Sequence, residues 1–225
     1  MKPVIVMTQT SNYTNDKVDI IHLPMIKIEP MSFDYSVLDS HFDWLIFSSK
    51  NAVTHFYKHI DAIQVDNVAV IGEKTKAYCQ QLGIHVDYCP EDYSQEGLLA
   101  HFQNIKGLNI IIPSSAYARP NLHTELNQRG AHVVKIDLYR PVPFTENIYK
   151  LQQLINGKKI DAVTFASSSA IRYFFNEAKI NNSKNNFFVI GRQTFKTIEQ
   201  FGINAPIADI QTLDALVDKV LESRE

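Results

Sequence analysis

Residues 43–56 read DWLIFSSKNAVTHF, and residues 161–174 read DAVTFASSSAIRYF. Each is a short apolar run, a hydroxyl-rich turn and an amphipathic stretch, the signature of strand, turn and helix. A second pair repeats the pattern, VIGEKTKAYCQQLG at 70–83 and VIGRQTFKTIEQFG at 189–202. The offsets are 118 (161 minus 43) and 119 (189 minus 70). Two matches at nearly one spacing mark an internal duplication, which predicts two similar lobes and a ligand cleft between them.

Working outward, the run NIIIP (109–113) parallels VIVMT (4–8), and HVVKIDLYRPVP (132–143) parallels HLPMIKIEP (22–30). Copy one covers roughly 1–105 and copy two roughly 106–225. Each reads strand, helix and long extended segment, then alternating strands and helices. The runs 44–47, 68–71, 109–112, 162–165 and 187–190 are continuously apolar, as suits strands buried on both faces of a parallel sheet. Helical faces are formed by Ala52, Val53, Phe56, Tyr57 and Ile60, by Ala170, Ile171, Phe174, Phe175 and Ala178, and by Leu213, Leu216, Val217 and Val220. Gly83 and Gly202 stand where helix C-caps are expected.

The fold class is therefore α/β, with two similar flavodoxin- or Rossmann-like lobes of mainly parallel sheet. Pro24 and Pro30 mark one long segment, and Pro141 and Pro143 end the other. Proline is excluded from central strands, so 22–30 and 135–143 read as a two-stranded connector. A chain that crosses twice builds each lobe from both copies: residues 1–25 with 143–225 in one lobe, 31–135 in the other. Ser48–Asn51 and Gly72–Thr75 of one lobe are then expected to face their repeats, 167–170 and 191–194, across the cleft, with the lobes free to rotate.

Composition narrows the function. The 225 residues suit two small domains, and 45% hydrophobic content supports real cores. A net charge of −2 argues against a nucleic-acid partner held through its phosphates. No apolar run approaches the ~20 residues that cross a bilayer, and the start MKPVIVMTQT lacks a leader pattern. The expectation is a cytoplasmic chain with no membrane partner, its Cys79 and Cys89 reduced. No apolar stripe lies outside the core faces, which predicts a monomer.

Five strands end in turns rich in small hydroxyls and glycine: Ser48-Ser49-Lys50-Asn51, Gly72 to Thr75, Ser114-Ser115, Ser167-Ser168-Ser169 and Gly191 to Thr194. Each serine or threonine there has an ordinary use as a helix cap. As a set, free N–H groups at one edge of both lobes suit an anion, helped by Lys50, Lys74, Arg119, Arg172 and Arg192. GxGxxG and GxSxG patterns are missing, and Gly72–Thr75 lacks the first glycine of a phosphate loop. His55 and His59 have the i, i+4 spacing of a metal pair without a third ligand. The residues point to a protein that uses no cofactor and no metal and grips a small anionic molecule.

The ordered set of segments resembles the uroporphyrinogen-III synthase family. It comprises FSSKNAV, VIGEKT, PEDYSQEGL, Arg119 in AYARPNLHTEL, RGAHVVKIDLYRPVP, FASSSAIRYF and VIGRQTFKTIEQFGI, over nearly the whole chain. The resemblance implies two α/β lobes on a two-stranded connector. It implies a lyase that closes hydroxymethylbilane, a polycarboxylate, to uroporphyrinogen III with inversion of the last ring and loss of water. Hand-over of the substrate from hydroxymethylbilane synthase is part of that expectation. By matching position, Tyr139 is the catalytic residue that helps the hydroxyl leave. A phenol, with an ordinary pKa of ~10, carries its proton at neutral pH and can donate it. Substrate contacts are expected from Ser48, Ser49, Asn51, Thr75, Ser94, Ser114, Arg119, Ser168, Ser169, Arg192 and Thr194. Gln9 stands where many members have arginine. A different class, a non-catalytic two-lobed binder of a small polyanion, would share the anion-binding turns. A third, a nucleotide-using transferase, would need the phosphate-loop glycines that are missing.

Overall fold

The computed structural model describes residues 2–180 and 186–224. The chain divides into one unit of Met1–Lys27 with Val142–Glu225 and another of Ile28–Pro141. The strands in chain order are β1 (Val4–Met7), β2 (Asp19–His22), β3 (Ile26–Pro30), β4 (His41–Phe47), β5 (Gln64–Val70), β6 (Asn109–Ser115), β7 (His132–Pro143), β8 (Ala162–Phe165) and β9 (Phe187–Val189). The helices are α1 (Lys50–Phe56), α2 (Glu73–Gln81), α3 (Gln95–His101), α4 (Asn121–Gln128), α5 (Thr145–Asn156), α6 (Ser168–Glu177), α7 (Arg192–Glu199) and α8 (Leu213–Glu222).

The discontinuous unit holds a parallel sheet in the order β2-β1-β8-β9. Counted along its own chain that order is 2-1-3-4, the doubly wound arrangement whose strand order reverses between its first and third strands. The Ile28–Pro141 unit carries β3-β7-β6-β4-β5, with β7, β6, β4 and β5 parallel. Each sheet thus draws strands from both copies, and β6 beside β4 repeats β1 beside β8 with the copies exchanged. Single parallel bridges extend both sheets at matching places, Ala69 to Tyr88 and Val189 to Ile207. β3 and β7 run antiparallel: Met31 N–H donates to Leu138 O at 2.8 Å, and Phe144 N–H donates to Met25 O at 2.9 Å.

Alternate residues on the central strands feed the two faces of each sheet, which is why these strands are apolar throughout. In the continuous unit, Leu45 and Phe47 pack with Ala52, Val53 and Phe56 of α1, while Ile46 packs with Leu98, Phe102, Leu122 and Leu126. In the discontinuous unit, Val163 and Phe165 pack with Ile148, Leu151 and Phe174, and Ile5 and Met7 pack with Leu216, Val217 and Val220. The strand ends are clamped by repeated polar contacts. Asp43 accepts from Asn109 N–H at 2.7 Å, and Asp161 from Val4 N–H at 2.8 Å. Asn67 and Asn186 each donate, at 3.1 Å, to the carbonyl oxygen of the aspartate beside them.

Four local expectations are corrected. No helix follows β1: residues 8–18 form an irregular loop. Its Thr, Ser, Asn and Asp side chains compete for backbone hydrogen bonds and favour turns. Tyr13 and Lys17 tie the loop to α8 through Asp214 and Asp218. The segment 22–30 is not one extended strand, because β2 ends at His22 and the chain breaks at Leu23-Pro24-Met25 before β3. The helical run at 52–60 stops at Phe56 and tightens into a 3-10 turn over Tyr57–Ala62, leaving Tyr57 41% exposed. Ser114 and Ser115 open no helix: both are the last residues of β6, and α4 begins six residues later with Pro120 as its N-cap. Gly83 and Gly202 take the left-handed conformation, φ +78° and +77°, that ends α2 and α7.

Candidate active site

In a parallel sheet all strand carboxyl ends share one edge, the usual place for ligands in open α/β folds. In the Ile28–Pro141 unit that edge gathers Ser48, Ser49 and Asn51 after β4, Thr75 after β5, and Ser114 and Arg119 at and after β6. Ser94, beyond the bridge at Tyr88, belongs to the same edge. Ser168 and Ser169 after β8, with Arg192 and Thr194 after β9, take the corresponding edge of the discontinuous unit.

The closest-knit group is built around Tyr139. The pairing of β6 with β7 is regular up to Ser114 with Asp137, then shifts so that Ser115 faces Tyr139. That bulge places two successive residues, Leu138 and Tyr139, in the core on the α1 side, where alternation would place one. Tyr139 is only 6% exposed, and its phenol oxygen lies 3.0 Å from Ser49 Oγ. Its ring stacks on the His55 imidazole, with centroids 4.9 Å apart and planes at 25°. Ser49 is also the N-cap of α1, accepting from Ala52 N–H at 3.2 Å. Burial first and the Lys58 charge second hold the His55 imidazole below its usual pKa, which keeps it neutral near pH 7. His59 is lowered by the same two causes.

His55 and His59 also line a small pocket of about 170 Å³ with Thr54, Lys58, Phe33 and Tyr35. His59 packs against the Phe33 and Tyr35 rings and His55 against Tyr139, and among the described residues no three His, Cys, Asp or Glu side chains gather to hold an ion. Sequence reasoning weighed His55 only as a ligand. Its contact with Tyr139 joins residues far apart in the chain and has no local sequence signal.

The remaining candidates differ in what their side chains offer. Thr75 and Thr194 are buried, 6% and 5% exposed. The Thr194 hydroxyl is committed to the backbone N–H and carbonyl of Gly191. Ser94 caps α3 by accepting from Gly97 N–H at 2.9 Å, and it donates to Asp92. Ser114 is buried in β6. Ser168 Oγ lies 2.8 Å from Thr197 Oγ1, and Thr197 Oγ1 is 3.0 Å from Gln193 O, which ties the start of α6 to the first turns of α7. Ser167, the repeat of Ser49, caps α6 through Ala170 N–H at the same 3.2 Å. Arg119 and Arg192 are exposed and make no ion pair among the described residues. Lys50 sits over the Tyr78 ring at 4.4 Å. Gln9 donates to Ser11 O at 3.2 Å, while its buried Oε1 accepts from no group among the described residues. Cys79 and Cys89 are free thiols, and burial pushes Cys79 up to about 11.

The family model for uroporphyrinogen-III synthase HemD matches residues 14–218. A putative uroporphyrinogen-III synthase of Methanothermobacter thermautotrophicus is 32% identical over 78% of this chain and 76% of its own length. Its counterpart in Methanocaldococcus jannaschii is 30% identical over 84% and 82%. The fold is shared with uroporphyrinogen-III synthetase of Helicobacter pylori 26695, at a TM-score of 0.64, 18% identity and full coverage of both chains.

Proposed function

The chain belongs to the uroporphyrinogen-III synthase family, and from that premise we propose how its residues close hydroxymethylbilane to uroporphyrinogen III. The reaction is that of a cyclising lyase. The terminal hydroxyl leaves as water, and the electrophilic carbon it leaves behind is attacked by the pyrrole at the far end of the chain. A spiro intermediate then fragments and recloses with the last ring reversed. Closure without that reversal gives isomer I, so holding one conformation is as necessary as helping water depart.

The observation that carries the assignment of roles is the Tyr139 phenol, screened from bulk water and hydrogen-bonded to Ser49 at the strand-end edge. We assign it the proton given to the departing hydroxyl. The substrate's carboxylates need donors, and we assign these to Ser48, Asn51, Arg119, Ser169 and Arg192 with the backbone N–H groups beside Thr75, Ser94, Ser114, Ser168 and Thr194. Gln9 supplies no charge, which leaves more of the anion load to the arginines. The substrate closes spontaneously to the wrong isomer, and this supports direct hand-over from hydroxymethylbilane synthase. The two free thiols suit a reducing compartment such as the cytoplasm.

The test is to supply hydroxymethylbilane freshly made by its synthase, oxidise the products and resolve the porphyrin isomers. Isomer III above the blank is expected. Isomer I alone, at the blank rate, would falsify the assignment.

A further inference from the structure

We infer that Ser49 is a positioning residue for Tyr139, donating its hydroxyl proton to the phenol oxygen while the His55 ring fixes the phenol plane. The inference rests on Tyr139 being the acid. It follows from counting protons between two oxygens. Ser49 Oγ already accepts from Ala52 N–H at 3.2 Å and has one proton left, with the phenol oxygen 3.0 Å away. If Tyr139 donated to Ser49, the phenol proton would be spent inside the protein. If Ser49 donates, the phenol proton is free for the substrate. The amide behind Ser49 favours this second arrangement, since an accepted hydrogen bond makes a hydroxyl a better donor. The stacked imidazole, 4.9 Å from the phenol ring, limits rotation of the ring out of that line.

The step balances. The Tyr139 O–H bond breaks as its proton passes to the leaving hydroxyl oxygen. The C–O bond breaks with its electron pair, and water departs. The phenolate oxygen keeps the Ser49 hydrogen bond, and no covalent bond of Ser49 changes. Tyr139 is reprotonated only at the final reclosure, when the pyrrole carbon that had been unsubstituted forms the last ring bond and sheds its proton. Ser49 thereby stabilises charge that exists only after proton transfer, so its loss is felt in kcat rather than in KM.

Ser49→Gly removes the hydroxyl while retaining most of the N-cap preference. Ser49→Asp keeps a cap but has no proton to donate at neutral pH. Both are expected to lower kcat by ~10-fold or more at little change in KM, while Ser49→Thr restores it. In a Tyr139→Phe background Ser49→Gly should cost nothing further. Thermal melts against Ser167→Gly, the same cap with no phenol on it among the described residues, separate folding from function. Equal kcat losses from Ser49→Gly with and without Tyr139 would overturn the positioning role and leave Tyr139 as the acid. Normal turnover in Tyr139→Phe would remove the acid itself, and Ser49's role with it.

Discussion

Ser49 and Ser167 occupy the same place in the two copies, and only Ser49 meets a tyrosine hydroxyl among the described residues. Each ends a buried strand in extended conformation, each caps a helix, and each accepts from the amide three residues on at 3.2 Å. The strand starts match too, through Asp43 with Asn67 and Asp161 with Asn186. The difference lies across the sheet. Ser49 meets the phenol of Tyr139, whereas beside Ser167 the neighbouring hydroxyl of Ser168 is tied to Thr197 of α7. Duplication reproduced a frame with donor-rich turns in both units, and a single tyrosine on a bulged strand made one of them different. The predictions below either collapse that asymmetry or deepen it.

The largest effect should come from Tyr139→Phe. It deletes one oxygen, keeps the ring on His55 and leaves the packing of β7 intact. A general acid contributes roughly 10²–10⁴ in rate, so kcat should fall by at least ~100-fold with the melting temperature close to that of the parent. Unchanged turnover would make the two turns equivalent after all, with catalysis resting on positioning alone.

A smaller effect should be the same in both copies. Ser49→Ala and Ser167→Ala each lose a helix cap, which costs about 1 kcal/mol. Denaturant titration should find the two losses equal to within a few tenths of a kcal/mol if the frame is truly repeated. A distinctly larger loss for Ser49→Ala would mean that its bond to Tyr139 also holds the fold together.

The frame was legible because its cause is local. Apolar runs such as 44–47 and 162–165 and the serines that follow them specify strand, cap and helix within a dozen residues, and the repeat doubles the signal. The helix expected after β1 failed where Thr8 to Lys17 offered side chains that bond to turns as readily as helix backbone does. The site was legible only in part. Tyr139 could be picked out by resemblance, but its partners could not. Its aim depends on a one-residue bulge at Ser115, and its neighbours Ser49 and His55 lie 90 and 84 residues away in sequence (139 minus 49, 139 minus 55). Thr75 and Thr194 read as lining residues and both are buried, and the Thr194 hydroxyl turns back onto the backbone of its own cap, Gly191.

The smallest predicted effect is a pH dependence at the Asp161 clamp. Asp161 accepts from Val4 N–H at 2.8 Å, with the Arg224 guanidinium 2.6 Å from its other oxygen. The backbone hydrogen bond first, then the Arg224 hydrogen bond, hold its carboxyl below the usual range. A carboxylate whose folded pKa is depressed contributes stability that is fully present above its unfolded pKa of ~3.9 and is lost as pH falls through the lower folded value. Its side chain is 38% exposed, so solvent screening keeps the contribution within ~1 kcal/mol. Asp161→Asn should therefore cost a little at pH 7 and nothing further in acid. Its unfolding curve should converge on that of the parent once the pH falls below the depressed folded value. A constant gap between the two curves from pH 7 to pH 2 would show that the amide disrupts packing at the start of β8 rather than removing a charge.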